Sequence, residues 1–172
     1  RIINGAMMIA QRGTSFTNVG YPSLTTSNGY TLDRWVGWRG SYLAGESVSQ
    51  QTGFSGFAKC LRVQRAAGDT STQGIVLAQN IETNNCQDLA GQSVTLSFYA
   101  RKGANYSGGD LGINITTGTG TDQGSVSASI GTWTGFNQSL AATKTLSTTE
   151  ALYTYTATIP AGTNETVSYT HL

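Results

Sequence analysis

An all-β sandwich is the fold class that this sequence predicts, on three observations. Apolar residues recur at every second position in its longest patterned stretches, the period of a strand with one face buried. Thr and Ser together supply a quarter of the 172 residues, and β-branched Thr suits a pleated, half-exposed surface. Charged residues are only 11% of the chain and Pro occurs twice, against 22 Gly. So few Lys and Glu leave little material for the outer faces of long helices, while Gly supplies turns.

Along the chain, the first strands are expected at residues 6–11, 32–38, 46–51, 59–64 and 75–81, separated by turn-rich spacers such as Thr26-Ser27-Asn28-Gly29 and Ala67-Gly68-Asp69. Residues 83–91 are the one place for a helical turn, with Asn84 or Asn85 as cap and Gly91 as terminator. The clearest alternation follows: Val94, Leu96 and Phe98 fall on one face, and Thr95, Ser97 and Tyr99 on the other. Ile113, Ile115 and Thr117 alternate with Asn114 and Thr116, and further strands are expected at 126–130 and 142–146. Tyr153, Tyr155, Ala157 and Ile159 share the last face before Pro160 stops the strand. About ten short strands at this spacing are what a sandwich needs. The Ser/Thr/Gly-rich stretch 116–125 reads as a loop, and the length suits one domain.

Charge argues against nucleic acid as a partner. The net value is +1, and although residues 1–65 carry +5 and the remainder −4, the basic side chains Arg34, Arg39, Lys59, Arg62 and Arg65 form no compact run. No apolar stretch approaches the length that crosses a bilayer, so membrane insertion is not expected. Cys60 and Cys86 read as two small packed thiols, with a single bridge between neighbouring strands as the other reading.

The final residues, Val167-Ser168-Tyr169-Thr170-His171-Leu172, back-translate as GTC TCT TAT ACA CAT CT, which resembles the transposon mosaic end used in sequencing libraries. The expectation is a single native domain over residues 1–165, a fragment of a longer protein from environmental DNA, with 166–172 translated from adapter. The only histidine, His171, lies in that tail.

Without a native histidine, neither a Ser-His-Asp nor a Cys-His nucleophile can be assembled, and a zinc site has two cysteines at most. The nine acids lie singly, and Asp69, Asp88, Asp110 and Asp122 sit beside turn residues. No enzyme is expected. Sugar binding asks for exposed rings to stack on pyranose faces and for amides or hydroxyls to meet the sugar's own. Candidate rings are Trp133, Phe136, Trp38, Tyr42 and Tyr106; candidate amides are Gln79 and Asn137, with Gln50, Asn80, Asn114 and Gln138. Trp133 stands out because it lies between Gly131 and Gly135 with few apolar neighbours in sequence, whereas Trp35, Leu96 and Phe98 read as core.

Three segments carry a family resemblance. Arg1-Ile2-Ile3-Asn4-Gly5-Ala6-Met7-Met8-Ile9-Ala10-Gln11-Arg12 resembles an R-I-I-N-G-D-M-x-I-x-Q-R opening, Tyr30-Thr31-Leu32-Asp33-Arg34-Trp35 matches Y-T-L-D-R-W, and Val94-Thr95-Leu96-Ser97-Phe98-Tyr99-Ala100 is similar to V-T-L-S-F-W-x. These belong to structural and tail-fibre-like proteins of tailed bacteriophages, and the resemblance covers roughly residues 1–160. It implies a jelly-roll β-sandwich like that of carbohydrate-binding modules, carried on a virion appendage, often as a homotrimer, with a host-surface glycan as partner and its closing strands missing here. A structural calcium, which related jelly rolls hold with help from the Asp of that opening, is disfavoured because Ala6 stands in its place. Two other roles compete with glycan recognition: a purely structural trimeric spacer, and an accessory module of a bacterial glycoside hydrolase.

Overall fold

The computed structural model describes residues 2–18, 29–39, 45–70, 72, 74–125, 128 and 131–171; Ser125 and Ala128 are helical, and eleven strands and one short helix lie wholly within the described residues. In order they are β1 (Ser15–Thr17), β2 (Gly29–Tyr30), β3 (Val36–Arg39), β4 (Ser47–Thr52), β5 (Lys59–Gln64), β6 (Ile75–Ile81) and α1 (Thr83–Cys86) with a 3-10 turn at Gln87–Leu89. Then come β7 (Ser93–Ala100), β8 (Leu111–Gly118), β9 (Asn137–Lys144), β10 (Ala151–Thr158) and β11 (Glu165–His171). All the strand pairs described below are antiparallel, as an all-β sandwich requires. The chain forms two compact units, residues 2–79 and 80–172.

In the unit 2–79, one layer is β1-β4-β5 and the other contains β2-β3-β6. Phe16, Val48 and Val63 stand side by side across the first layer and, with Leu61 and Trp35, pack on Leu77 of β6. Strand β6 buries residues of both parities, Ile75 and Leu77 with Ala78, which is why its sequence is a continuous apolar run rather than an alternation. Residues 6–11, expected as a strand, form none. Asn4 and Met7 have φ of 54° and 56°, and the Asn4 amide takes the Ile9 N–H and donates to the Ile9 and Asp33 carbonyls. The side chain thus occupies backbone groups that a neighbouring strand would need. Residues 32–38 likewise become a turn closed by Trp35 N–H on Leu32 O, with strand geometry only from Val36.

In the unit 80–172, the ribbon β7-β10 faces a layer in which β8 lies between β11 and β9. Leu96, Phe98, Tyr153 and Tyr155 on the inner face of the ribbon meet Leu111, Ile113 and Leu146. Val94 and Leu96 meet Ile115, Ala157 and Ile159. The Phe98 ring lies 5.8 Å from Tyr153 and 6.3 Å from Tyr155, within the range of favourable aromatic pairs. Burial of a side chain such as Ile113, fully shielded here, contributes about 1.5–3 kcal/mol. The outer face of the ribbon carries the other parity: Thr95 opposite Thr156 and Ser97 opposite Thr154, each pair hydrogen-bonded. All eight residues of β8 are buried, polar ones included. Asn114 is held by the Gln138 amide and Thr117 by Ser139, where β9 gains an extra residue against Ile115/Thr116. Of the strand expected at 126–130, only Ala128 lies within the described residues, and it is helical, its N–H bonded to Gly124 O one turn back. The helical turn expected at 83–91 forms, entered from Glu82 without a side-chain cap bond rather than from Asn84 or Asn85.

Candidate functional site

The nominated residues divide sharply by burial. Trp38 is 3% exposed and Trp133 is 4% exposed, so neither ring can stack on a ligand. Gln79 is fully buried and uses both ends of its amide on Ile3, accepting from its N–H at 2.6 Å and donating to its carbonyl at 2.7 Å. It clamps the N-terminal segment and is not a sugar contact. Tyr42 lies outside the described residues. Tyr106 is half-buried over Gly108, its hydroxyl donating to Gly109 O. Phe136, 39% exposed, and its exposed neighbour Asn137 remain on the surface. The other amides also work internally: Gln50 donates to Met7 O, Asn80 to Gln123 O, and Asn114 accepts from Gln138.

The surface around Phe136 is built by two turns that meet at the Gly118 end of β8. Trp133 packs edge-on to the backbone, its Cε3 so close to Gly118 that a Cβ there would lie 3.0 Å away, and its Nε1–H donates to Gly124 O. Gly135 adopts φ of 61° and faces Thr119 so closely that any Cβ would strike that side chain; only glycine meets both demands. The bonds Thr119 N–H to Thr134 O and Thr134 N–H to the Gln123 amide oxygen, each 2.8 Å, lock one turn to the other. On this base the Phe136 ring lies beside Gly131, with the exposed residues Thr132, Thr134 and Asn137 around it. Such an exposed ring flanked by hydroxyls and an amide has the chemistry of a sugar-stacking platform. Tyr106 belongs to the loop at the other end of β8, about 20 Å away at 3.3 Å per residue, so it and Phe136 do not form one platform.

Beneath the platform lies Glu165, 1% exposed. Its Oε2 accepts the Gln123 N–H at 2.7 Å, while Oε1 has no hydrogen-bond partner. Burial, reinforced by the Asp122 charge, pushes its pKa above the ordinary carboxylate value against the pull of the Gln123 bond. Burial also raises the Cys86 thiol, with Glu165, Asp122 and Asp88 adding to the effect. That thiol donates to Asn164 O at 2.9 Å, so it is a protonated, packed group rather than a nucleophile. Neither cysteine is in a disulfide.

The N-terminal turn does not fit a calcium ion. Ala6 offers no side-chain oxygen, and none of the buried side-chain oxygens left without a partner among the described residues lies in this turn; a hard cation needs oxygen ligands.

Sequence reasoning missed the exposed rings Tyr30, Phe57 and Tyr99. The signal for Tyr99 was present, since it shares the outward parity of Thr95 and Ser97 in β7. It stands opposite exposed Leu152. Tyr30 carries the Arg12 guanidinium 4.7 Å over its ring.

No protein-family model matches the chain, and no curated protein matches it. Among solved structures, it is similar to the enzymatically active domain of tailspike protein 4 of bacteriophage CBA120, with a TM-score of 0.55 and 12% identity over 89% of this chain. The chain spans 19% of that protein's length. The K1 cleaved adhesin domain of Lys-gingipain from Porphyromonas gingivalis W83 aligns over 93% of this chain and 89% of that one at 18% identity, with a TM-score of 0.37. The first likeness shows a shared fold.

Proposed function

We propose that this chain is a non-enzymatic module of a phage virion surface, part of a tail fibre or related appendage, that contributes to recognition of a host-surface glycan. The observation that carries the reading is Phe136. It is an exposed ring on a base of locked turns, with Asn137, Thr132 and Thr134 beside it, whereas the competing tryptophans are spent on packing. The fold shared with a domain of a phage tailspike supports a place on the virion, and the opening and Tyr30–Trp35 motifs support the same family. Ring stacking supplies affinity, and the hydroxyls and amide supply orientation. The test is a glycan array probed with the chain and with Phe136→Ala. Binding by the parent and at least tenfold weaker binding by the variant are expected; silence from the parent over the whole array would discard the reading.

A structural spacer within a homotrimer is the second reading, and one observation favours it. Ile3, Met8 and Ile9, on one short segment, all expose apolar side chains, as an assembly surface does. Light scattering on the purified chain decides: a trimer dissociated by Met8→Glu with Ile9→Glu supports the spacer, and a monomer unaffected by them removes it.

A further inference from the structure

We propose that Glu165 Oε1, the Gln123 amide oxygen and the Thr134 carbonyl oxygen form a divalent-cation site of the calcium type at the turn 118–123, with the Asp122 carboxylate at its rim. A Cβ placed on Gly120 would strike both the Gln123 amide oxygen and Glu165 Oε1, at 2.7 Å for the latter. One on Gly118 would meet Glu165 Oε1 and Thr134 O, each at 3.0 Å. Three oxygens from three separate segments therefore border the same pair of side-chain-free α-carbons. The Thr134 N–H holds the Gln123 amide with its oxygen inward, so the amide nitrogen does not serve Glu165.

The carboxylate's need for a partner is the independent argument. Glu165 is almost wholly buried and half of it makes no hydrogen bond, a costly state for a charged oxygen. Among the described residues of its unit, no cationic side chain comes near. Lys144 pairs with Leu111 while Glu165 pairs with Gly118, the opposite ends of β8, and Arg101 and Lys102 follow β7 on the Leu111 side. The acids Asp122 and Glu82 add negative charge at the Glu165 end, Asp122 taking the Thr83 N–H and Glu82 opening α1. A bound cation meets both demands. The donors are a carboxylate, an amide and a backbone carbonyl, all hard oxygens in an irregular arrangement, which suits calcium with contacts of about 2.4 Å and waters completing the shell, better than octahedral magnesium. Gln123 and Gly120 are half-exposed, leaving a route for ion and water.

The test uses the chain stripped with chelator and then titrated with calcium chloride, reading thermal unfolding, and with terbium, reading luminescence excited through tryptophan. Trp133 lies against Gly118, close enough to sensitise a lanthanide bound there. Calcium at a hundredfold its Kd is expected to raise the folding equilibrium constant about a hundredfold, seen as a Tm increase of roughly 5–10 °C for a chain of this size. E165Q keeps the side chain's shape and removes its charge; D122N keeps an acceptor for Thr83. Each is expected to weaken calcium and terbium binding at least tenfold. Absence of any calcium response in the parent, or an unchanged Kd in either variant, overturns the site; if E165Q does not fold, D122N decides alone.

Discussion

The two ends of β8 are closed in opposite ways. At the Leu111 end, the tip of loop 101–110 closes on itself through Tyr106 N–H to Gly103 O and Tyr106 hydroxyl to Gly109 O, while its start bonds across, Lys102 N–H to Ser147 O, with charges of both signs in Arg101, Lys102 and Asp110. Asp110 reaches across to Thr145. At the Gly118 end, the bonds join residues far apart in sequence: Glu165 to Gln123, 42 positions away, and Asn164 to Thr119, 45 away. Its indole and its glutamate are both buried. A loop tip closed on itself tolerates change because its bonds run between near neighbours. A cross-braced end concentrates cost because one substitution releases several segments at once.

Substitutions break that contrast most sharply at Trp133. Trp133→Ala should cost about 3–5 kcal/mol, measured by chemical denaturation, because the ring is core; an effect below about 1 kcal/mol would mean that the Gly118 end is not braced by it. Gly135→Ala combines a left-handed backbone with a collision at Thr119 and should cost about 2–4 kcal/mol. Gly109→Ala, where a Cβ meets nothing within 4 Å, should stay within about 0.5 kcal/mol.

A pH series in chelator sharpens the electrostatic half of the comparison. Glu165 has a folded pKa above its unfolded one, so its contribution to stability is full below the ordinary carboxylate value. That contribution is lost as pH rises through the elevated folded value, at no more than about 1.4 kcal/mol per pH unit. E165Q should flatten that slope, as read from Tm against pH, while an unchanged slope would assign it to another group. At the Leu111 end, Tyr106→Phe deletes the exposed hydroxyl bond to Gly109 O and should cost about 0.5–1 kcal/mol in the same denaturation assay.

Strands β7 and β10 were legible because each has one buried face, so polarity alternates with backbone parity in Val94–Phe98 and in Tyr153–Ala157. The Gly118 end of β8 was not, because the polar stretch from Thr116 read as a loop and Asn114 as a sugar-binding amide, yet β8 runs on to Gly118 with Asn114, Thr116 and Thr117 under cover. The expected strand at 6–11 failed for a different reason: one Asn4 amide supplies the partners that a sheet would have supplied. At the candidate site, Phe136 and Asn137 were nominated from composition and setting and lie on the surface, whereas Trp133, nominated from the same signals, is buried. Nothing in the glycines flanking Trp133 reports that Gly118 and Gly124 receive its ring and its N–H. Glu165 looked like a lone acid because Gln123 meets it only after folding.

Alternation, turn chemistry and scarce charge were enough to specify an antiparallel β architecture, since these act between neighbouring residues through backbone geometry. Which ring faces solvent and which acid is left with a bare oxygen depended on surfaces brought together across tens of residues, and burial is a property of those meetings rather than of any residue's own chemistry.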